Sequence, residues 1–122
     1  MKPKILIVDG DETARRLTRE VLGEKNYAYL EAGSGEEALE ILKSRQQVSL
    51  ILTDYMMPGM NGIELSDCKK RLPDRKDIPV VILTTLRSKA LIEHAAVKGV
   101  LSWIFKPFSG EQLVAAIESL LF

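Results

Sequence analysis

The chain has 122 residues, of which 46% are hydrophobic and 28% are charged, so it suits one compact domain and does not resemble a disordered protein. Its 17 basic and 17 acidic residues cancel, which removes the uniform positive field that favours nucleic-acid binding. No apolar run approaches the roughly 20 residues that a bilayer-spanning helix needs, so no membrane contact is expected. The single cysteine, Cys68, has no partner for an internal disulfide, and we expect a cytoplasmic protein.

Short apolar segments recur along the chain and are continuous rather than alternating. Runs of this kind are typical of strands that are buried on both faces, as in a parallel sheet between two layers of helices. In chain order the segments are residues 5–8, 28–31, 50–52, 80–83 and 103–105, of which the second has the weakest signal.

Amphipathic patterns that are typical of helices lie between these runs. The first is indicated by the apolar positions of residues 14–22, and the fourth ends near Gly99, a residue type that commonly stops a helix. The other three open with the spacing of a capping box, in which a polar N-cap residue precedes Glu or Gln by three positions. These pairs are Ser34 with Glu37, Asn61 with Glu64, and Ser109 with Gln112.

The order of the elements is therefore strand then helix, repeated five times. Connections of this length suit right-handed crossovers between parallel strands. We predict a doubly wound α/β fold with one five-stranded parallel sheet, forming a single domain over residues 1–122.

Polar side chains follow four of the predicted strands. They are Asp9, Asp54, Thr84 and Lys106. Because sites in open parallel sheets form beyond the carboxyl ends of the strands, we expect these side chains to meet at one edge. Two carboxylates, a hydroxyl and an ammonium can together place a phosphoryl group on a carboxylate and neutralise its oxygens.

Four segments resemble the response-regulator receiver family of two-component signalling. They are residues 5–9, 52–62, 79–84 and 105–108, and together they extend the resemblance over nearly the whole chain. The resemblance implies a flavodoxin-like (βα)5 fold with the strand order 2-1-3-4-5.

The same resemblance implies roles for individual residues. Asp54 is the expected phosphoacceptor, and Thr84 and Lys106 are expected to contact the phosphoryl group. Asp9, Asp54 and the backbone carbonyl of Met56 are the expected ligands of a Mg²⁺ ion.

A switch and a set of partners are implied as well. Trp103 occupies the position of the family's rotating aromatic residue, whose burial is coupled to Thr84. The expected partners are a histidine kinase or phosphotransfer protein and a downstream target or output domain, with homodimer formation on phosphorylation as an option. Any enzymatic activity would be limited to self-phosphorylation and autophosphatase chemistry.

One departure from the family lies in the acidic pocket. The family has a second acid where this chain has Gly10, and that acid is commonly a direct metal ligand. Two outcomes stay open: Asp11 turns into the site to give an altered Mg²⁺ site, or metal binding and phosphorylation are weak. For Asp11 and Glu12 a helix-capping role is the simpler interpretation.

Two other functions are consistent with parts of the sequence. The loss of the second acid suits a pseudo-receiver, a protein-interaction module that works without phosphorylation. Residues 9–13 also match the Asp-x-Asp-x-Thr signature of haloacid-dehalogenase-like phosphatases, in which Asp9 would be the nucleophile. Those enzymes need a later acidic pair, and after Lys106 the chain has only Glu111 and Glu118, both in a helical pattern.

Overall fold

Five strands alternate with five helices in the computed structural model, which describes residues 3–122. The strands are β1 (Lys4–Val8), β2 (Ala28–Ala32), β3 (Leu50–Asp54), β4 (Val80–Thr84) and β5 (Ser102–Phe105). The helices are α1 (Glu12–Glu24), α2 (Gly35–Lys43), α3 (Gly62–Lys70), α4 (Lys89–Val97) and α5 (Gly110–Leu121). Each sequence-predicted strand lies within an observed one.

All neighbouring strands pair in parallel, and their order is β2-β1-β3-β4-β5. This order confirms the predicted doubly wound fold. In the register of the sheet, Asp54 lies opposite Leu83 and Thr84 lies opposite Phe105. The carboxyl ends of β3, β4 and β5 are therefore level with one another, and the residues that follow them share one edge.

The central strands are buried on both faces, which explains their continuous apolar sequences. Leu6 and Ile51 belong to a core cluster that includes Leu65 of α3, whereas Ile5 and Leu52 belong to a second cluster with residues of α1 and α5. Successive residues of one strand thus enter opposite layers. Because both layers are apolar, the sheet has no solvated face along β1, β3 and β4.

The edge strand β2 differs from the central strands. Its Tyr29 is exposed, and Glu31 is only partly buried, because no further strand covers this side of the sheet. The mixed composition of β2 accounts for the weak signal at residues 28–31.

Side-chain caps begin the helices at the predicted residues. Asn61 and Glu64 form both bonds of a capping box at α3, of 2.8 and 2.9 Å. Ser34 and Ser109 cap α2 and α5 through their hydroxyls, and Gly99, with a φ of +94°, follows the end of α4. Within residues 3–122 no helix combines the length and apolarity that crossing a bilayer requires.

Candidate functional site

Three of the predicted side chains meet at the carboxyl edge of the sheet. Lys106 Nζ lies 3.1 Å from Asp9 Oδ2 and 3.8 Å from Asp54 Oδ1. The three side chains are at most 24% exposed, so water screens their charges only in part. One ammonium therefore sits between two carboxylates that come from different strands.

Asp9 is held from several directions. Its Oδ1 accepts a hydrogen bond of 2.9 Å from the Asp11 N–H, and its own N–H donates to the Ala32 carbonyl at 3.1 Å. With Lys106 on Oδ2, both carboxylate oxygens have a partner. These bonds hold the Asp9 carboxylate at the edge of the pocket, and none of them is made by Gly10.

The pKa of Asp54 is raised above its ordinary value, chiefly because burial disfavours the charged carboxylate. The positive charge of Lys106 lowers the pKa, and the negative charge of Asp9 raises it. Hydrogen bonds from the backbone N–H groups of Tyr55 and Met56 also lower it, but burial prevails. The burial of Asp54 therefore disfavours its charged form more than the neighbouring positive charge and N–H groups favour it.

The raised pKa leads to a stability prediction for Asp54→Asn. The folded state holds the Asp54 proton more tightly than the unfolded state, so stability falls as pH rises from about 3.8 through the raised pKa, and stays lower above it. Asparagine does not ionise and escapes this loss. We expect the variant to be about 0.5–2 kcal/mol more stable than the wild type at pH 7, the range of a typical stabilising substitution.

Urea unfolding of both proteins at pH 7 and at pH 3 measures this difference. The gain should be present at pH 7 and should disappear at pH 3, where the wild-type carboxyl is protonated. The exposed Asp74→Asn substitution is the control, since Asp74 lies on the surface far along the chain from the site. A loss of stability at pH 7 in Asp54→Asn would contradict the prediction.

Thr84 and Trp103 bind the same residue of the β4–α4 loop. Thr84 is buried, and its Oγ1 accepts a hydrogen bond of 3.3 Å from the Leu86 N–H. The Trp103 Nε1–H donates to the Leu86 carbonyl at 3.2 Å. Displacement of the Thr84 hydroxyl would therefore move a residue to which the indole is bonded.

Aromatic contacts hold this loop and Trp103 in place. The Trp103 ring packs at a tilt on Tyr55, the residue after Asp54, with ring centroids 5.8 Å apart. The Arg87 guanidinium lies 4.0 Å from the centre of the Phe105 ring, a cation–π distance. Trp103 thus contacts both the loop after β3 and the loop after β4.

The oxygen atoms at this edge fit a divalent cation that takes only a few of its ligands from the protein. Asp9 and Asp54 supply carboxylates, and Met56 lies in the loop directly after β3. Among residues 3–122 no group of three His, Cys, Asp or Glu side chains is arranged for a metal. A donor set made only of oxygens suits Mg²⁺, which commonly keeps several waters and needs few carboxylates.

Asp11 and Gly10 have other roles in this structure. Asp11 is the exposed N-cap of α1, and its Oδ1 accepts from the Thr13 N–H at 3.1 Å, as the capping interpretation predicts. The φ of Gly10 lies outside the left-handed region that favours glycine.

Comparisons with known proteins agree on the family. The model of the response regulator receiver domain matches residues 5–118. The chain is 38% identical to chemotaxis protein CheY1 of Helicobacter pylori over 97% of this chain and 96% of that protein. It is 34% identical to a chemotaxis protein CheY homolog of Campylobacter jejuni over 97% of this chain and 92% of that protein.

Solved structures give the same result for the fold. Chemotaxis protein CheY4 of Vibrio cholerae superposes with a TM-score of 0.92 at 27% identity, over 99% of this chain and 100% of that one. A CheY-like receiver domain of Methanospirillum hungatei superposes with a TM-score of 0.91 at 26% identity, over 99% and 94% of the two chains.

Proposed function

Because the chain belongs to the response regulator receiver domain family, we propose that it is a phosphoryl-accepting switch with Asp54 as the acceptor. Receiver domains interact with histidine kinases and output domains, so the donor would be a histidine kinase or a phosphotransfer protein. The observation that carries the proposal is the contact of Lys106 with both Asp9 and Asp54 at the carboxyl edge.

The chemistry follows from the three side chains. An Asp54 oxygen attacks phosphorus, the bond from phosphorus to the donor's imidazole nitrogen breaks, and the imidazole leaves with that electron pair. Lys106 neutralises the added charge, and the Thr84 hydroxyl donates to a phosphoryl oxygen. Asp9, Asp54 and the Met56 carbonyl would hold the Mg²⁺, which supplies further charge neutralisation when bound.

Leu86 links the proposed phosphorylation site to Trp103, because it is bonded to both Thr84 and the indole. When the Thr84 hydroxyl turns toward the phosphoryl oxygens, its bond to the Leu86 N–H is lost and the β4–α4 loop shifts. Since the Leu86 carbonyl accepts from the indole of Trp103, the ring then changes its packing against Tyr55. Thr84 and Trp103 are accordingly the proposed switch residues.

A groove beside the site suits the phosphodonor. It has a volume of about 470 Å³ and lies between α1 and the loop after β5. Leu17, which is 56% exposed, lines it together with Pro107 and Phe108, and Lys106 and Thr85 border it. An exposed apolar surface that borders Lys106 would be a docking surface for the phosphodonor.

Incubation with acetyl phosphate and Mg²⁺, followed by intact-mass measurement, tests the proposal. We expect the wild type to gain the mass of one phosphoryl group and Asp54→Asn to gain none. Asp74→Asn, a matched change of an exposed acid, should behave as the wild type. No gain in the wild type under saturating donor and metal would overturn the proposal and favour the pseudo-receiver.

The remaining expectations are tested separately. Hydrolysis of small phosphate esters that survives Asp54→Asn but not Asp9→Asn would instead support a haloacid-dehalogenase-like activity. Homodimer formation on phosphorylation and the cytoplasmic location stay predictions.

A further inference from the structure

Arg15 lies on the first turn of α1 and turns its side chain back toward the loop after β1. The guanidinium donates to the Asp9 carbonyl oxygen through Nη1. Its Nε donates to Glu31 of β2 at 3.2 Å, and its Nη2 donates to Glu12 at 2.6 Å. The side chain is only 17% exposed, which is low for an arginine on a surface helix.

The two acids that bind Arg15 also bind Arg19. Arg19 Nη1 donates to Glu31 at 2.9 Å, and Arg19 Nη2 donates to Glu12 at 3.0 Å. A network of two arginines and two glutamates is more ordered than an isolated surface pair, because each side chain is held by two others. The guanidinium of Arg15 is therefore fixed with respect to both α1 and β2.

The loop that Arg15 binds contains Asp9, which together with the proposed acceptor Asp54 supplies the two carboxylates that contact Lys106. Gly10, the next residue, has no side chain to pack, and a Cβ at this position would meet only the Gly33 carbonyl, at 3.6 Å. The Arg15 Nη1 lies equally close, 3.6 Å, to a Cβ built on Gly33, the residue that follows β2. Through its bonds to the Asp9 carbonyl and to Glu31 of β2, Arg15 ties the peptide between Asp9 and Gly10 to the neighbouring strand.

We propose that Arg15 is a positioning residue, which holds the Asp9 carboxylate for cation binding and phosphoryl transfer. The inference rests on the proposed function, and it names a residue that acts only through Asp9. Arg15 fixes the carbonyl of Asp9, while the Asp11 N–H and Lys106 orient the carboxylate. Without the guanidinium, the peptide that follows Asp9 is less restrained, so the Asp11 N–H holds the Asp9 carboxylate less firmly.

The test uses Arg15→Ala and Arg15→Lys in the full chain. Arg16→Ala is the matched control, because Arg16 is the next residue of the same helix, is 56% exposed and faces only Glu20 at 4.0 Å. Both alanine variants remove one positive charge from α1. Lysine keeps the charge of Arg15, but its single nitrogen cannot occupy the positions of the three guanidinium nitrogens that bind three different residues, so partial rescue is expected.

Mg²⁺ binding is measured by calorimetry without any phosphodonor. Partners that orient a metal ligand typically change metal affinity by about 10–100-fold, and we expect Arg15→Ala to weaken binding by about tenfold. Arg16→Ala should leave it unchanged. In an Asp9→Asn background, Arg15→Ala should have no further effect, whereas a general loss of structure would lower affinity in both backgrounds.

Hydrogen exchange of the Asp11 amide gives a second readout that needs neither metal nor phosphate. This N–H is bonded to Asp9 Oδ1, so Arg15→Ala should speed its exchange while the melting temperature matches that of Arg16→Ala. Equal exchange in the two alanine variants, or equal losses of Mg²⁺ affinity with and without Asp9, would overturn the inference. If the wild type binds no Mg²⁺, the exchange result decides alone. A wild type that is not phosphorylated contradicts the proposed function and leaves both readouts of Arg15 intact.

Discussion

Gly10→Asp is expected to raise the Mg²⁺ affinity of the pocket by about 10–100-fold, the range over which changes around a metal commonly act. The substitution restores a second acid beside Asp9 and adds one negative charge to an edge that now has two carboxylates and one ammonium. Space is available, because a Cβ on Gly10 meets only the Gly33 carbonyl at 3.6 Å, and the backbone there is not left-handed.

Calorimetric titration with Mg²⁺ measures the effect, and Gly10→Asn is the control. Asparagine has the size of aspartate and a neutral oxygen, so it separates the added charge from the added side chain. We expect Asn to give a small part of the gain. Equal affinities for Gly10, Asn and Asp would mean that this position does not face the cation.

Gly62→Ala is expected to lower the free energy of unfolding by about 1–3 kcal/mol, the usual result of overpacking a core. Gly62 is the buried first residue of α3, and its Cβ would lie 2.7 Å from the Asp54 carbonyl oxygen. Ile82 and Thr53 side-chain atoms, each at 3.3 Å, block the other directions. Because the backbone of Asp54 must move, phosphorylation by acetyl phosphate should also slow.

Gly23→Ala is the matched control for this substitution. Gly23 lies near the end of α1, and a Cβ there would meet nothing within 4 Å. Alanine should stabilise the protein by about 0.4–1 kcal/mol, since it restricts the unfolded chain and favours the helix. Urea unfolding of both variants provides the comparison, and equal effects of the two substitutions would contradict the steric argument.

The fold was largely predictable because a strand that is buried on both faces has a continuous apolar sequence. The strands β1, β3 and β4 are continuous apolar runs, whereas the edge strand β2 mixes exposed and buried positions and gives a weak signal. The order of the strands in the sheet could not be predicted in this way. Apolar runs do not encode which strand lies beside which, so the order 2-1-3-4-5 required the resemblance to a family.

The convergence of Asp9, Asp54 and Lys106 was also predictable, since parallel strands end at a common edge. Their contacts were not, because a distance of 3.1 Å depends on the path of a lysine side chain across the pocket. The sequence left open whether Asp11 turns into the metal site or caps the first helix. In the structure Asp11 caps α1, and the φ of Gly10 lies outside the left-handed region.

Contacts with main-chain oxygens account for most of what the sequence did not indicate. Arg15 binds the carbonyl of Asp9, and Trp103 binds the carbonyl of Leu86. Lys69 is buried and donates to the carbonyls of Lys76 and Ile78 at 2.7 Å each. A main-chain oxygen is present at every position, so no residue type marks these acceptors in advance.

The indole of Trp103 is an intrinsic fluorescent probe of the unlabelled protein. It is the single tryptophan of the chain, so the ultraviolet emission of the whole molecule comes chiefly from one place. That place touches Tyr55, next to Asp54, and bonds to Leu86, two residues after the buried Thr84. The intensity and emission wavelength of the tryptophan fluorescence therefore report a change in either loop in real time, without a dye or an engineered cysteine.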